Sequence, residues 1–229
     1  QPKFVSGPPG TGKTHKFLVE EYIKLLKNYD PEKIIMLSHT NVAADELKEA
    51  VLELPEIKEK RGLKKKFFKY KICTIHSFCK SKLLKKELIT YADYLNLCAE
   101  NSGFKAQRVT QSEFNDDKHK FFKFLGDAFG QGRTIKEHWN SLKETSSNYY
   151  PYNNFRMIYE MKEVYDNYKK VNQVCDYNDM IKDFIDHAVV PDIDVLIVDE
   201  AQDSNVPQIK ALEKMSTNVK EYYMVGDAD

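Results

Sequence analysis

Apolar residues along this chain fall into two alternating patterns. The first is the short run: Phe4-Val5, Ile34-Ile35-Met36-Leu37, Tyr70 to Ile75, Ile193 to Val198, and Tyr222 to Val225. Each reads as a strand, and the unbroken run Ile34 to Leu37 suits one buried on both faces of a parallel sheet. The second is the helical stripe. Leu18, Tyr22, Leu25, Leu26 and Tyr29 mark a helix from about Lys13 to Asn28, which Asp30-Pro31 ends. Ala43, Leu47, Ala50, Val51 and Leu54 mark another from about Ala43 to Leu54, and helices are also expected near His76 and from about Pro207 to Met215. Strands alternating with helices predict an α/β fold built on a doubly wound parallel sheet.

The alternation stops after about Lys80 and resumes near residue 188. Residues 1–80 and 188–229 are therefore expected to form one α/β domain, with a mainly helical insertion over 81–187. The insertion carries Phe121, Phe122, Phe124, Phe129, Trp139, Tyr149, Tyr150 and Tyr152. An expected helix from about Phe155 to Lys170 adds Phe155, Ile158, Tyr159, Tyr165 and Tyr168. Aromatic residues at helical spacing are expected to be mostly core, leaving a minority for stacking on bases.

A length of 229 residues suits one α/β domain with an insertion, or two small domains. A hydrophobic content of 41% excludes a disordered chain, and no apolar run approaches the ~20 residues needed to span a bilayer. The chain opens directly on its first strand, with no signal-peptide pattern. Cys73, Cys79, Cys98 and Cys175 lack C-x-x-C or zinc-like spacing. They read as reduced thiols of a cytoplasmic protein without a structural metal. The zero net charge hides an asymmetry. Twelve basic residues face one acid between Lys58 and Lys86, a balance of +11, while Asp176 to Asp229 carries −9. Such separation suggests an electropositive binding face.

Two strings carry the chemistry. Gly7-Pro8-Pro9-Gly10-Thr11-Gly12-Lys13-Thr14 fills every position of G-x-x-x-x-G-K-[ST], between a strand signal and a helix signal. Glycines let backbone N–H groups turn toward phosphate oxygens, and the helix N-terminus adds positive potential. Lys13 is expected at the β- and γ-phosphates of ATP, and the Thr14 hydroxyl on Mg²⁺. Far downstream, Val195-Leu196-Ile197-Val198 delivers Asp199 and Glu200 to the carboxyl end of a buried strand, where open α/β sheets bind ligands. Asp199 is expected to hold Mg²⁺, and Glu200 to orient and deprotonate the attacking water.

In their wider setting these strings resemble the first RecA-like domain of superfamily 1 helicases of the UvrD/Rep group. Ser38-His39-Thr40-Asn41-Val42-Ala43-Ala44-Asp45-Glu46-Leu47 resembles motif Ia, and Thr74-Ile75-His76-Ser77-Phe78 the T-F-H-S segment of motif Ib. Asp176-Tyr177-Asn178-Asp179-Met180-Ile181 is similar to the segment preceding motif II. Asp199 to Asn205 is similar to motif II itself, and Val225 to Asp229 to the start of motif III. With the phosphate loop, six ordered blocks span nearly the whole chain. Where the family usually has phenylalanine, this chain has His39 in motif Ia and Ile75 in motif Ib. An imidazole can still stack on a base, whereas Ile75 is expected only to pack.

The resemblance implies a RecA-like P-loop fold with an accessory helical insertion, using ATP and Mg²⁺. It implies contacts to single-stranded DNA and its junctions with duplex through His39, Thr40, Asn41, Thr74, His76 and Ser77. Lys64, Lys65 and Lys66 would add phosphate contacts. Gln202, Asp203, Gly226 and Asp227 would couple the nucleotide and DNA sites. It further implies a fragment whose partner is a second RecA-like domain of the same protein, with movement 3′ to 5′ on DNA. Two other readings stand beside it: an ATP-binding regulatory module without turnover, and a superfamily 1 RNA helicase.

Overall fold

In a computed structural model, the described residues are 2–7, 13–58, 67–83, 86–116, 118–145 and 154–227. They divide into two compact units, Gln1–Leu83 with Asp183–Asp229, and Leu84–Lys182. Among the described residues there are seven strands: β1 Lys3–Gly7, β2 Ile34–Ser38, β3 Ile72–Thr74, β4 Glu87–Leu88, β5 Val174–Cys175, β6 Val195–Val198 and β7 Glu221–Asp227.

The first unit holds a five-stranded sheet in the order β1-β7-β6-β2-β3, with every pair parallel. β2, β3 and β6 are buried at every position, which explains their unbroken apolar runs. Alternation sorts their side chains between two faces. One face gathers Ile34, Met36, Ile72, Val195, Ile197, Tyr223 and Val225 beneath Tyr22, Leu25 and Leu26 of the Lys13–Asn28 helix and Leu47 and Val51 of the Asn41–Glu53 helix. Ile35, Leu37, Leu196 and Val198 are buried on the other. The path β6 to β7 runs opposite in sense to β2 to β3. Right-handed crossovers therefore place the intervening Val206–Met215 helix on that second face.

Local chemistry sets the element ends. Asp30 accepts from the Glu32 N–H at 2.9 Å, stopping the first helix. Thr40 accepts from the Ala43 N–H at 3.1 Å and starts the next helix at Asn41, two residues before the expected Ala43. That helix buries Ala44 where the sequence pattern suggested Ala43. The strand expected over Tyr70 to Ile75 shortens to Ile72–Thr74. A 3₁₀ turn, Phe67–Tyr70, takes its start, and Thr74 caps the Ile75–Ser81 helix at its end.

In the second unit most of the aromatics form the core, as their spacing suggested, while Tyr159 is 51% exposed. Tyr94, Phe104, Phe121, Phe124, Trp139, Tyr165 and Tyr168 are buried together, Phe104 and Phe121 meeting edge to face at 5.1 Å. Tyr149, Tyr150 and Tyr152 lie outside the described residues. The insertion is not strand-free, for β4 and β5 pair in parallel. Lys169 joins Asp176 at 2.8 Å and Asp179 at 2.7 Å, and the two aspartates cap one another's backbone N–H groups. Part of the acidic C-terminal charge is thus used within the fold.

A similar cluster ties the sheet's edge. Glu221 on β7 accepts from Lys3 of β1 at 2.7 Å, from Tyr29 at 2.8 Å and from Tyr223. These bonds push its carboxyl down from 4.5 to about 2. A carboxyl depressed by folding stabilises fully above its unfolded value and loses that contribution as pH falls through the folded one. The stability gap between wild type and Glu221→Gln, read from urea unfolding, is expected to shrink from pH 4.5 toward about pH 2. A gap independent of pH would exclude the ionised carboxylate as its source.

Candidate active site

All five strands of the sheet point one way, so their carboxyl ends share one edge, where open α/β sheets bind ligands. β1 ends there at Gly7, paired in register with Asp227 of β7. Pro8, Pro9, Gly10, Thr11 and Gly12 lie outside the described residues, and the chain re-enters at Lys13, first residue of a helix running to Asn28. The backbones of Lys13 and Thr14 thus form a helix N-terminus with no acidic residue in its first turn, a setting that favours an anion.

Two strands from β1, β6 leads directly into Asp199, which is buried and whose N–H donates to Leu37 O at 2.8 Å. Asp199 continues the alternation of Val195 and Ile197 toward the face covered by the Lys13–Asn28 helix. Ser38, at the end of the adjacent β2, alternates toward the same face, and its buried hydroxyl finds no hydrogen-bond partner among the described residues.

Glu200 turns sharply away with φ 52 and ψ 44, a left-handed conformation uncommon outside glycine. Such outliers cluster at functional sites. A single 3₁₀ turn, Ala201–Asp203, follows, and Gln202 Nε2 folds back to donate to Glu200 Oε2 at 2.7 Å. Gly226 of β7 makes room for this. A Cβ built there would sit 1.9 Å from Gln202 Oε1. The clash falls on the far end of a flexible side chain, so Gly226→Ala is expected to fold normally and to swing Gln202 off Glu200. Turnover should fall, and Gln202→Ala in the same background should lower it little further, because both remove one contact. Additive losses would separate the two residues.

The segments resembling motifs Ia and Ib leave neighbouring strand ends, since Ser38 pairs in register with Thr74. Both threonines are engaged as helix caps: Thr40 as above, and Thr74 accepting from the Ser77 N–H at 3.2 Å while donating to Ser77 Oγ at 2.9 Å. Asn41 opens its helix beside Val42, an apolar side chain 69% exposed that lies off the buried stripe and escaped the sequence reading. Ile75 is buried, as expected of a packing residue. His39 Nε2 lies 3.1 Å from Ser204 Oγ, a contact that links the segment leaving β2 to the turn leaving β6. Burial lowers the His39 pKa below 6.5, against the pull of the Asp203 and Glu200 carboxylates. Burial also lowers that of His76, with His39 adding to the effect.

Lys64, Lys65 and Lys66 lie outside the described residues. Elsewhere in the basic stretch, Lys58 pairs with Glu53 at 2.6 Å and Lys71 donates to Glu32 O. Among the described residues, no three His, Cys, Asp or Glu side chains converge as a metal cage, and no helix is long and apolar enough to cross a membrane.

Similarity to known proteins extends over the whole chain. The family described as UvrD/REP helicase N-terminal domain matches residues 1–229. The chain is 24% identical over 248 residues to "ATP-dependent DNA helicase Rep" of Buchnera aphidicola subsp. Baizongia pistaciae, covering 99% of this chain and 34% of that protein. It is 26% identical over 246 residues to "Probable DNA helicase II homolog" of Mycoplasma capricolum subsp. capricolum, covering 96% of this chain and 31% of that protein. It therefore spans about a third of the length of these relatives. Because the family match runs from end to end and not over the phosphate loop alone, the chain belongs to the UvrD/REP helicase N-terminal domain family.

Proposed function

We propose that this chain is the ATP-hydrolysing domain of a DNA helicase that moves along single-stranded DNA, 3′ to 5′, and opens duplex at a junction. The observation that carries the reading is a juxtaposition on one sheet edge. The phosphate-loop strand pairs with Asp227 and the Asp199–Glu200 strand lies beyond it. The strand ends bearing His39 and Thr74 come next, so nucleotide and DNA groups share a rigid base. In this reading residues 1–80 and 188–229 form the motor domain, and 81–187 its accessory insertion. A second RecA-like domain of the same protein closes on the nucleotide.

The donor set suits Mg²⁺, which takes oxygen ligands and keeps much of its water shell. Asp199 is a buried carboxylate, and the Ser38 hydroxyl beside it is unpartnered among the described residues. Thr14 and Asp199 would hold the ion, which supplies positive charge at the β- and γ-phosphates. Lys13 neutralises the same phosphates. Glu200 orients the attacking water and takes its proton. His39, Thr40, Asn41, Thr74, His76, Ser77 and the lysines at 64–66 hold the strand. Gln202, Asp203, Gly226 and Asp227 relay between the two sites.

The test is steady-state ATP turnover by the full-length protein alone, with single-stranded DNA and with RNA. Stimulation by DNA and not by RNA is expected. Stimulation by RNA alone would assign an RNA helicase, and nucleotide binding without turnover a regulatory module.

A further inference from the structure

Building on the motor reading above, we propose that the His39–Ser204 hydrogen bond carries the state of the DNA path to the hydrolytic carboxylate. His39 and Ser204 would then be positioning residues for Glu200.

The route is short. His39 follows buried Ser38 at the end of β2, and Thr40 immediately caps the next helix, so its backbone is held on both sides. Its ring reaches Ser204 Oγ at 3.1 Å. The Ser204 N–H donates to Ala201 O at 3.2 Å, and the Asp203 N–H to Glu200 O at 2.9 Å. Ser204 therefore closes the same turn that Glu200 opens. Within that turn Gln202 holds the Glu200 carboxylate at 2.7 Å. A shift of the His39 ring is passed through one hydroxyl to one tight turn, and from there to the carboxylate.

Stacking supplies the shift. A base laid on the imidazole fixes the plane of the ring, and with it the direction of Nε2 toward Ser204. Burial keeps the imidazole largely neutral near pH 7, so one ring nitrogen donates and the other accepts, and either role suits a hydroxyl. Phenylalanine at position 39 would stack equally well but has no atom to bond Ser204. The link depends on the histidine that this chain carries.

Ser204→Ala in the full-length protein is the test, measured as ATP turnover without and with saturating single-stranded DNA. Basal turnover, the KM for ATP and DNA affinity are expected to stay at wild-type values. The stimulation factor should fall by about three- to tenfold, the range one net hydrogen bond spans. Ser204→Thr, which keeps the hydroxyl, should restore it. His39→Phe should lower stimulation in the wild-type background and not further in the Ser204→Ala background. Unchanged stimulation in Ser204→Ala overturns the proposal, as do additive losses in the double variant. Equal falls in basal and stimulated turnover also overturn it, since Ser204 would then serve hydrolysis directly. A wild-type protein that DNA does not stimulate overturns the motor reading, and this proposal with it.

Discussion

Glu200→Gln is expected to lower ATP turnover of the full-length protein on the order of 10²–10⁴-fold, the usual contribution of a positioned base, while Mg-ATP binding persists. The substitution isolates proton acceptance. Glutamine keeps a carbonyl oxygen, so the bond that Gln202 Nε2 donates to position 200 at 2.7 Å has an acceptor in either case. Both residues meet the same left-handed backbone, φ 52, and the turn through Asp203 depends on main-chain atoms at position 200. What the amide cannot do is take a proton from water. Nucleotide titration beside single-turnover hydrolysis separates the two effects. If affinity falls in parallel with turnover, Glu200 belongs to nucleotide binding and not to the chemical step.

The fold class was legible because a parallel sheet buried on both faces leaves a distinctive trace. Ile34 to Leu37 and Val195 to Val198 have no polar interruption, and all of these residues are buried. The aromatics of the second unit were legible as core for a related reason: Phe121, Phe124, Tyr165 and Tyr168 recur at helical spacing and are buried together. Element ends were less legible. The Asn41–Glu53 helix begins earlier than its apolar stripe because Thr40 caps it, and β3 is cut short because Thr74 caps the following helix. Both are hydrogen bonds of one side chain to a backbone three residues on, which set helix starts independently of the hydrophobic pattern.

Strand order and the contacts that follow from it were not legible. β1 and β7 are neighbours although more than two hundred residues apart in sequence, and only that pairing sets Gly7 against Asp227. The contact between Gln202 and Gly226 depends on β7 passing beside the turn that leaves β6. The clue in the sequence was a glycine within an apolar strand, a mark of close approach. Ser204 lies within the segment similar to motif II, but its contact with His39 was not legible, because 165 residues of sequence separate the two.

Lys13→Ala is expected to weaken nucleotide binding by on the order of 10- to 100-fold, since hydrogen bonds to charged groups contribute roughly 1.5–3 kcal/mol. Turnover should fall further than affinity, because charge on the transferring phosphoryl group is greatest where the lysine would meet it. The fold should survive. Lys13 is the first residue of its helix, a position whose backbone N–H lacks an intrahelical partner, and alanine is the best helix former. The core beneath that helix is made by Tyr22, Leu25 and Leu26, farther along it. Circular dichroism and urea midpoints matching wild type, together with lost ATP turnover, are the expected pair of results. Retained turnover would remove the phosphate role of Lys13. An unfolded variant would place this lysine in the support of the domain, and the nucleotide assignment would then rest on Glu200→Gln.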